Sequence, residues 1–132
     1  MKLEHIGIAV RDIEKSNLLF TALFNQSPYK SEEVKSEGVI TSFFKTGESK
    51  IELLQATNPD SAIAKFIEKK GEGIHHLAFE VQDIDKEIER LKKEGFEMIH
   101  KTPKDGADNK RIAFLHPKST NGVLIEICQE KK

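Results

Sequence analysis

The sequence holds a single cysteine, Cys128, among 132 residues. An internal disulfide is therefore excluded, and a lone thiol fits a reducing compartment. No apolar run is long enough to span a bilayer. The N-terminus lacks the apolar core of a signal peptide, so the expected location is the cytoplasm. Neither sign of charge prevails: 21 Lys and Arg stand against 22 Asp and Glu, leaving -1 at pH 7. That balance gives no electrostatic reason to expect nucleic acid or an anionic membrane as a partner. Proline is sparse, and the 4 present, Pro28, Pro59, Pro103 and Pro117, fall in breaks between periodic stretches. What is there is the length of one ordinary domain, enough for a real core.

The most informative stretch is 73–84, GIHHLAFEVQDI. Its alternation reads as a half-buried strand, with Leu77, Phe79 and Val81 on one face and His76, Ala78 and Glu80 on the other. Asp83 then supplies a helix N-cap. The N-terminus repeats the pattern in LEHIGIAVRDI. With His5 laid on His76, Val10 falls on Val81, Asp12 on Asp83 and Ile13 on Ile84. Gly7 and Ala9 share the face of His5, and both are small. A duplicated strand–helix unit is the simplest reading.

The first unit, 1–57, reads as strand, helix and three strands. Its helix runs from about Asp12 to Phe24, with Ile13, Phe20, Leu23 and Phe24 on one side. A weak strand follows over 30–37, then firmer strands over 39–45 and 50–55. Residues 58–72 form a helical connector, opened by Pro59 with Asp60 or Ser61 and stopped by Gly71 and Gly73. The second unit, 73–132, repeats the order: strand 74–81, helix 83–94, a weak strand over 96–101, a loop over 102–109, and strands over 110–116 and 123–129. Residues 130–132 are expected to fray.

The last strands align too. Ile51-Glu52-Leu53-Leu54-Gln55 matches Ile125-Glu126-Ile127-Cys128-Gln129. Each acid faces away from its apolar neighbours, so it sits in water or in a polar pocket. The repeat thus places one histidine and one glutamate in each unit: His5 and Glu52, His76 and Glu126. If the units pack about a pseudo-twofold axis, these four converge in one concavity. Two imidazoles and two carboxylates, with no thiolate, suit one divalent metal ion among cobalt, manganese, nickel, zinc and iron. A five- or six-coordinate ion would keep open positions for a substrate oxygen.

These paired strand–helix–three-strand units resemble the vicinal-oxygen-chelate, or glyoxalase-like, superfamily, and more narrowly its methylmalonyl-CoA epimerase family. The resemblance covers nearly the whole chain. It is strongest in Glu52 to Leu54, Ser61 to Phe66, Gly73 to Val81 and Arg111 to Gln129. FLHPKSTNGVLIEICQ, from Phe114 to Gln129, is its most specific run; the first helix and the region around Pro28 are less typical. The resemblance implies an α+β fold of two tandem βαβββ units forming an eight-stranded, open, barrel-like sheet with flanking helices. It implies metal ligands at His5, Glu52, His76 and Glu126, with Glu52 standing where some relatives carry glutamine or histidine. The ion is expected to be cobalt, with manganese, nickel and zinc as alternatives.

The implied activity is epimerisation of (2R)- and (2S)-methylmalonyl-CoA, with a CoA thioester as the small-molecule partner and a homodimer as the expected assembly. Removing the proton next to the thioester makes an enolate, whose growing negative charge calls for electrostatic stabilisation. Two bases on opposite faces are required. Glu126 is the first candidate. Thr41 stands where the family carries a second glutamate, so the second candidate is Glu80, on the face of His76, with Glu37 and Glu48 as alternatives. Other readings on the same scaffold are a glyoxalase-type isomerase, a ring-cleaving dioxygenase and a metal-free small-molecule-binding protein.

Among the remaining polar residues, His75 points away from His76 and reads as structural. His100 is expected near a strand end in solvent, and His116 at the end of a strand. Lys104, Lys110, Arg111 and Lys118 read as a solvated basic edge that could meet the phosphates of coenzyme A. Cys128 shares the parity of Glu126 and reads as a packed small residue.

Overall fold

The structure is a computed structural model that describes residues 1–131; Lys132 lies outside the described residues. It contains β1 (Lys2–Ala9), α1 (Ile13–Phe24), β2 (Lys30–Val34), β3 (Val39–Thr46), β4 (Ser49–Ala56), α2 (Ala62–Lys70), β5 (Gly73–Glu80), α3 (Ile84–Lys93), β6 (Lys104–Asp105), β7 (Lys110–Leu115), a 3₁₀ turn (Pro117–Ser119) and β8 (Ile125–Glu130). The order βαβββ therefore occurs twice, with α2 between. No helix among the described residues is long and apolar enough to cross a membrane. By internal packing the chain divides into two compact units, His5–His75 and a second made of Met1–Glu4 with His76–Lys132.

In the first unit the strands lie in the order β2-β3-β4-β1. β3 runs antiparallel to β2 and β4, and β1 runs parallel to β4. α1 covers one face. Ile13, Phe20 and Phe24 meet Val10, Phe44 and Leu53, with the Phe24 and Phe44 rings 5.5 Å apart. α2 packs into the same unit, setting Ile63, Phe66 and Ile67 against Ala9, Val39 and Leu54. Ser61 caps it, accepting a hydrogen bond from the Ala64 N–H at 3.1 Å. Gly38, at φ 66°, closes the turn before β3 where a Cβ would come within 2.6 Å of Asn58 Nδ2. Both the backbone angle and the space select glycine there.

In the second unit the order is β5-β8-β7-β6, with β5 parallel to β8 and β7 antiparallel to β8 and β6. α3 buries Ile84, Ile88 and Leu91 against Val81, Ala113, Leu115 and Ile127. Apolar residues at i, i+4 and i+7 make that stripe, and charged residues fill the outer face.

The same devices start the two main helices. Asp12 Oδ1 accepts from the Lys15 N–H and Asp83 Oδ1 from the Lys86 N–H, each at 3.1 Å. Gln55 Oε1 accepts from the Ile13 N–H at 2.7 Å, and Gln129 Oε1 from the Ile84 N–H at 2.9 Å. In each unit, then, the final strand is tied to the start of the helix by a glutamine three residues after the glutamate.

Four expectations are corrected. Leu23, expected on one side of α1 with Ile13, Phe20 and Phe24, is 68% exposed and takes no part in that packing. The weak strand over 96–101 is not a named strand: only the bridge Met98↔Leu115 forms there, and the second unit's short strand is β6, in the expected loop. The cause is His100, whose Nδ1 accepts the Phe114 N–H at 3.2 Å and so replaces a backbone acceptor in the ladder. His100 is accordingly half-buried rather than in solvent. Finally, the C-terminus does not fray at Glu130 or Lys131. β8 includes Glu130, and the Lys131 N–H donates to the Asn109 carbonyl at 3.0 Å.

Candidate metal centre and active site

Strand register builds one His–Glu pair in each unit. In the first, Glu52 on β4 lies level with Gly7 on β1 and Phe43 on β3. In the second, Glu126 on β8 lies level with Ala78 on β5 and Phe114 on β7. The histidine stands two residues before the small residue, on the same face of its strand. The residues level with the two glutamates, Gly7 and Ala78, are both small. His5 Nε2 is 3.3 Å from Glu52 Oε1, and His76 Nε2 is 3.3 Å from Glu126 Oε1. All four residues are buried, with 5, 4, 3 and 4% exposure for His5, Glu52, His76 and Glu126. The structure thus brings the four predicted residues together in pairs, within units.

A carboxylate at that depth is costly unless paired. Strongly charge-assisted hydrogen bonds fall at about 2.7–2.9 Å, and both pairs are longer. Two ligands about 2.1 Å from one ion stand about 3.0 Å apart at a right angle and about 3.4 Å apart at the tetrahedral angle. Each pair matches that range, so the donor atoms fit a divalent cation.

The face carrying the histidines is the more deeply buried one. His76 and Ala78 are buried, whereas Leu77 and Phe79 on the other face are only partly so. The Phe114 ring stands edge-on to the His76 imidazole at 5.6 Å and 84°. One row further along, Glu80 on β5 is level with Cys128 on β8, and Cys128 with Ile112 on β7. Glu80 is half-buried and lines a cleft of about 620 Å³ with Lys2, Asp83, Lys86 and Arg90. In the first unit that row holds Ala9, Leu54 and Thr41. Thr41 is fully buried, and its hydroxyl donates to the Glu32 carbonyl at 3.3 Å. Burial pushes the Cys128 thiol up, with the Glu126 carboxylate adding to the effect. It stays protonated at neutral pH and packs with Ala78 and Ile112.

His75 packs edge-on against Phe66 at 5.0 Å, away from the pair. His116 Nδ1 accepts the Lys118 N–H at 3.1 Å and starts the 3₁₀ turn. Arg111 pairs with Asp85 at 3.3 Å and Lys118 with Glu97 at 2.9 Å, both largely exposed. Lys110 departs from the solvated edge expected for it. It is 3% exposed and shares the face of β7 that carries Ile112 and Phe114. A buried ammonium on the face of Glu126 was legible only as parity with Ile112 and Phe114, which the lysine's polarity concealed.

The architecture is that of a recognised class: residues 4–114 match the family model described as Glyoxalase/Bleomycin resistance protein/Dioxygenase superfamily. A methylmalonyl-CoA epimerase, mitochondrial, of Dictyostelium discoideum is 39% identical over 127 residues, covering 96% of this chain and 76% of its own. A solved hypothetical protein from Bacillus halodurans C-125 matches with TM-score 0.96 at 44% identity, over 99% of this chain and 95% of that one. The Streptomyces coelicolor methylmalonyl-CoA epimerase, solved as a single-substitution variant with 2-nitronate-propionyl-CoA, matches with TM-score 0.94 at 32% identity, over 98% and 94%. The chain belongs to the methylmalonyl-CoA epimerase family of that superfamily and has its fold.

Proposed function

We propose that the protein interconverts the (2R) and (2S) forms of methylmalonyl-CoA, and that His5, Glu52, His76 and Glu126 together hold one divalent cation. The observation that carries the reading is the repetition of the same buried His–Glu pair, at the same 3.3 Å, in both units. Membership of the epimerase family supports the substrate. The donor set of imidazole nitrogen and carboxylate oxygen suits several divalent ions; the family resemblance points to cobalt among them, with manganese, nickel and zinc as alternatives. When bound, the ion would supply positive charge that stabilises the enolate as it develops.

The rest of the chemistry falls to the chain's own side chains. Glu126 takes the C2 proton on one face through a carboxylate oxygen, and the electron pair moves into the thioester as an enolate. Glu80, one row along the same face, returns a proton to the other side of C2; in the reverse direction the roles exchange. The buried ammonium of Lys110, 3.8 Å from a Glu130 carboxylate oxygen, adds positive charge on that face toward the substrate's free carboxylate. Phe114 packs against the imidazole of His76, which restrains the ring. The single, buried, unbridged Cys128 supports work in the reducing cytoplasm, and a homodimer is the expected assembly.

The test follows one methylmalonyl-CoA epimer in D₂O by proton NMR, with and without added Co²⁺. Loss of the C2 proton with appearance of the other epimer is expected, at a rate that depends on the ion. No exchange with the ion present removes the reading. Metal analysis is expected to give one ion per chain; two would show that each pair binds separately.

A further inference from the structure

The last strand of each unit grips the start of the main helix at two consecutive residues. In the first unit the Val10 N–H donates to the Leu54 carbonyl at 2.9 Å, and the Ile13 N–H to Gln55 Oε1 at 2.7 Å. In the second the Val81 N–H donates to the Cys128 carbonyl at 2.9 Å, and the Ile84 N–H to Gln129 Oε1 at 2.9 Å. The helices do not need the glutamines in order to begin. Asp12 and Asp83 already cap them locally, and the other early N–H groups of a helix can be met by water. Here one of them is met instead from 42 and 45 residues away. The donor is firmly held, because Ile13 and Ile84 are 7 and 0% exposed in the cores beneath their helices. The acceptor stands three residues after Glu52 or Glu126, about 10 Å along the strand. Alternation puts the amide on the helix side, with Leu53 or Ile127, and the carboxylate on the other. The amide therefore acts on the His–Glu pair only through the strand.

We propose that Gln55 and Gln129 are positioning residues for the two His–Glu pairs. Each pair is built on parallel neighbours, β1 with β4 and β5 with β8. The histidine rides on the strand that runs into the helix, and the glutamate on the strand that carries the glutamine. Each glutamine thus ties the outgoing end of the histidine strand to the glutamate strand and fixes the offset of one along the other. That offset sets the 3.3 Å between imidazole nitrogen and carboxylate oxygen. The ladder fixes register in whole residues; the side-chain bond resists the smaller slides, and a positioned site is sensitive to a misplacement of about 1 Å. Glutamine suits the task as a long, neutral acceptor. Leucine, of similar size, would leave the helix N–H without an acceptor. Glutamate would keep an acceptor there and set its charge at the positive end of the helix. The placing of imidazole against carboxylate needs no ion; the consequence for cation binding rests on the proposed metal site.

The full chain is to be studied first without metal, reading the imidazole nitrogens by long-range proton–nitrogen NMR at fixed pH. Gln129→Leu should shift the His76 nitrogens further than those of His5, and Gln55→Leu should do the reverse. Asp83→Ala removes the local cap of the same helix and is the structural comparison. It should lower Tm and leave the His76 signals in place. Gln129→Glu should bring those signals back to the wild-type position. Titration with Co²⁺ follows. Each leucine variant should bind at least about tenfold more weakly, whereas Asp83→Ala and Gln129→Glu should stay within about threefold of wild type. Should Gln129→Leu fail to fold, Gln129→Asn, an amide one methylene shorter, takes its place with the same expectations. A wild-type chain that takes up no Co²⁺ removes the cation reading alone, since the nitrogen signals decide the positioning without it. A folded Gln129→Leu chain with wild-type His76 signals overturns the proposal, and so does an Asp83→Ala chain that displaces them as far.

Discussion

Replacing Glu126 with glutamine tests the centre of the mechanism with the least disturbance. The side chain keeps its shape, so its place beside Ala78 and level with Phe114 is retained. The residue is 4% exposed, and its carboxylate oxygen lies 3.3 Å from His76 Nε2; the amide oxygen can still meet the imidazole. The cost to folding is that of one altered hydrogen bond, about 1 kcal/mol, or a Tm shift of a few degrees, roughly 3–6 °C, in a domain of this size. The cost to catalysis is far larger. A positioned general base contributes about 10²–10⁴ in rate, or about 2.7–5.5 kcal/mol of barrier. The assay is loss of the C2 proton in D₂O, measured from each epimer separately and with Co²⁺ at saturation. Interconversion should fall by at least 10². Exchange should fall more for the epimer whose proton faces Glu126 than for the one whose proton faces Glu80. A folded Glu126→Gln protein that exchanges both epimers at more than about a third of the wild-type rate is incompatible with Glu126 acting as a base.

Removal of metal with a chelator should lower both the exchange rate and Tm, and returning Co²⁺ at 100 times its Kd should restore about 2.7 kcal/mol of stability; an unchanged melting curve argues against an ion at the buried pairs. Ile84→Ala, at a position with 0% exposure on the inward face of α3, should cost about 2–5 kcal/mol in denaturant unfolding, and a loss below 1 kcal/mol would contradict the packing described. The Lys118 ammonium beside Glu97 holds that carboxyl below its ordinary value. A lowered folded-state value means the contact stabilises above the unfolded carboxylate pKa and is lost as pH falls through the folded one. Lys118→Met should therefore return the Glu97 titration, followed by NMR, to the ordinary range and flatten that part of the acid limb.

The repeat itself was readable from residues alone. Strand alternation, the Asp12 and Asp83 caps and the stop at Gly71 are local signals, and each survives in the structure because nothing distant opposes it. His5, Glu52, His76 and Glu126 were likewise named by periodicity and by the match between the two halves. Local pattern also misjudged places where a distant partner decides. Residues 96–101 read as a strand until the ring of His100 took the Phe114 N–H. Lys110 read as surface, although its strand carries it onto the buried face.

By itself, then, the sequence determined the two βαβββ orders, the helix boundaries and which face of each strand bears a histidine or a glutamate. These follow from side-chain spacing over a few residues. Tertiary structure alone decided that His5 meets Glu52 and His76 meets Glu126. Each pair is separated by more than forty residues, and its contact depends on the register of a parallel pairing, where a slip of one residue would turn the whole row to the other face. The bonds from Gln55 and Gln129 to the helix starts, which hold those registers, were settled at the same level. All of these contacts depend on what lies beside a residue in space, and spacing along the chain carries no record of that.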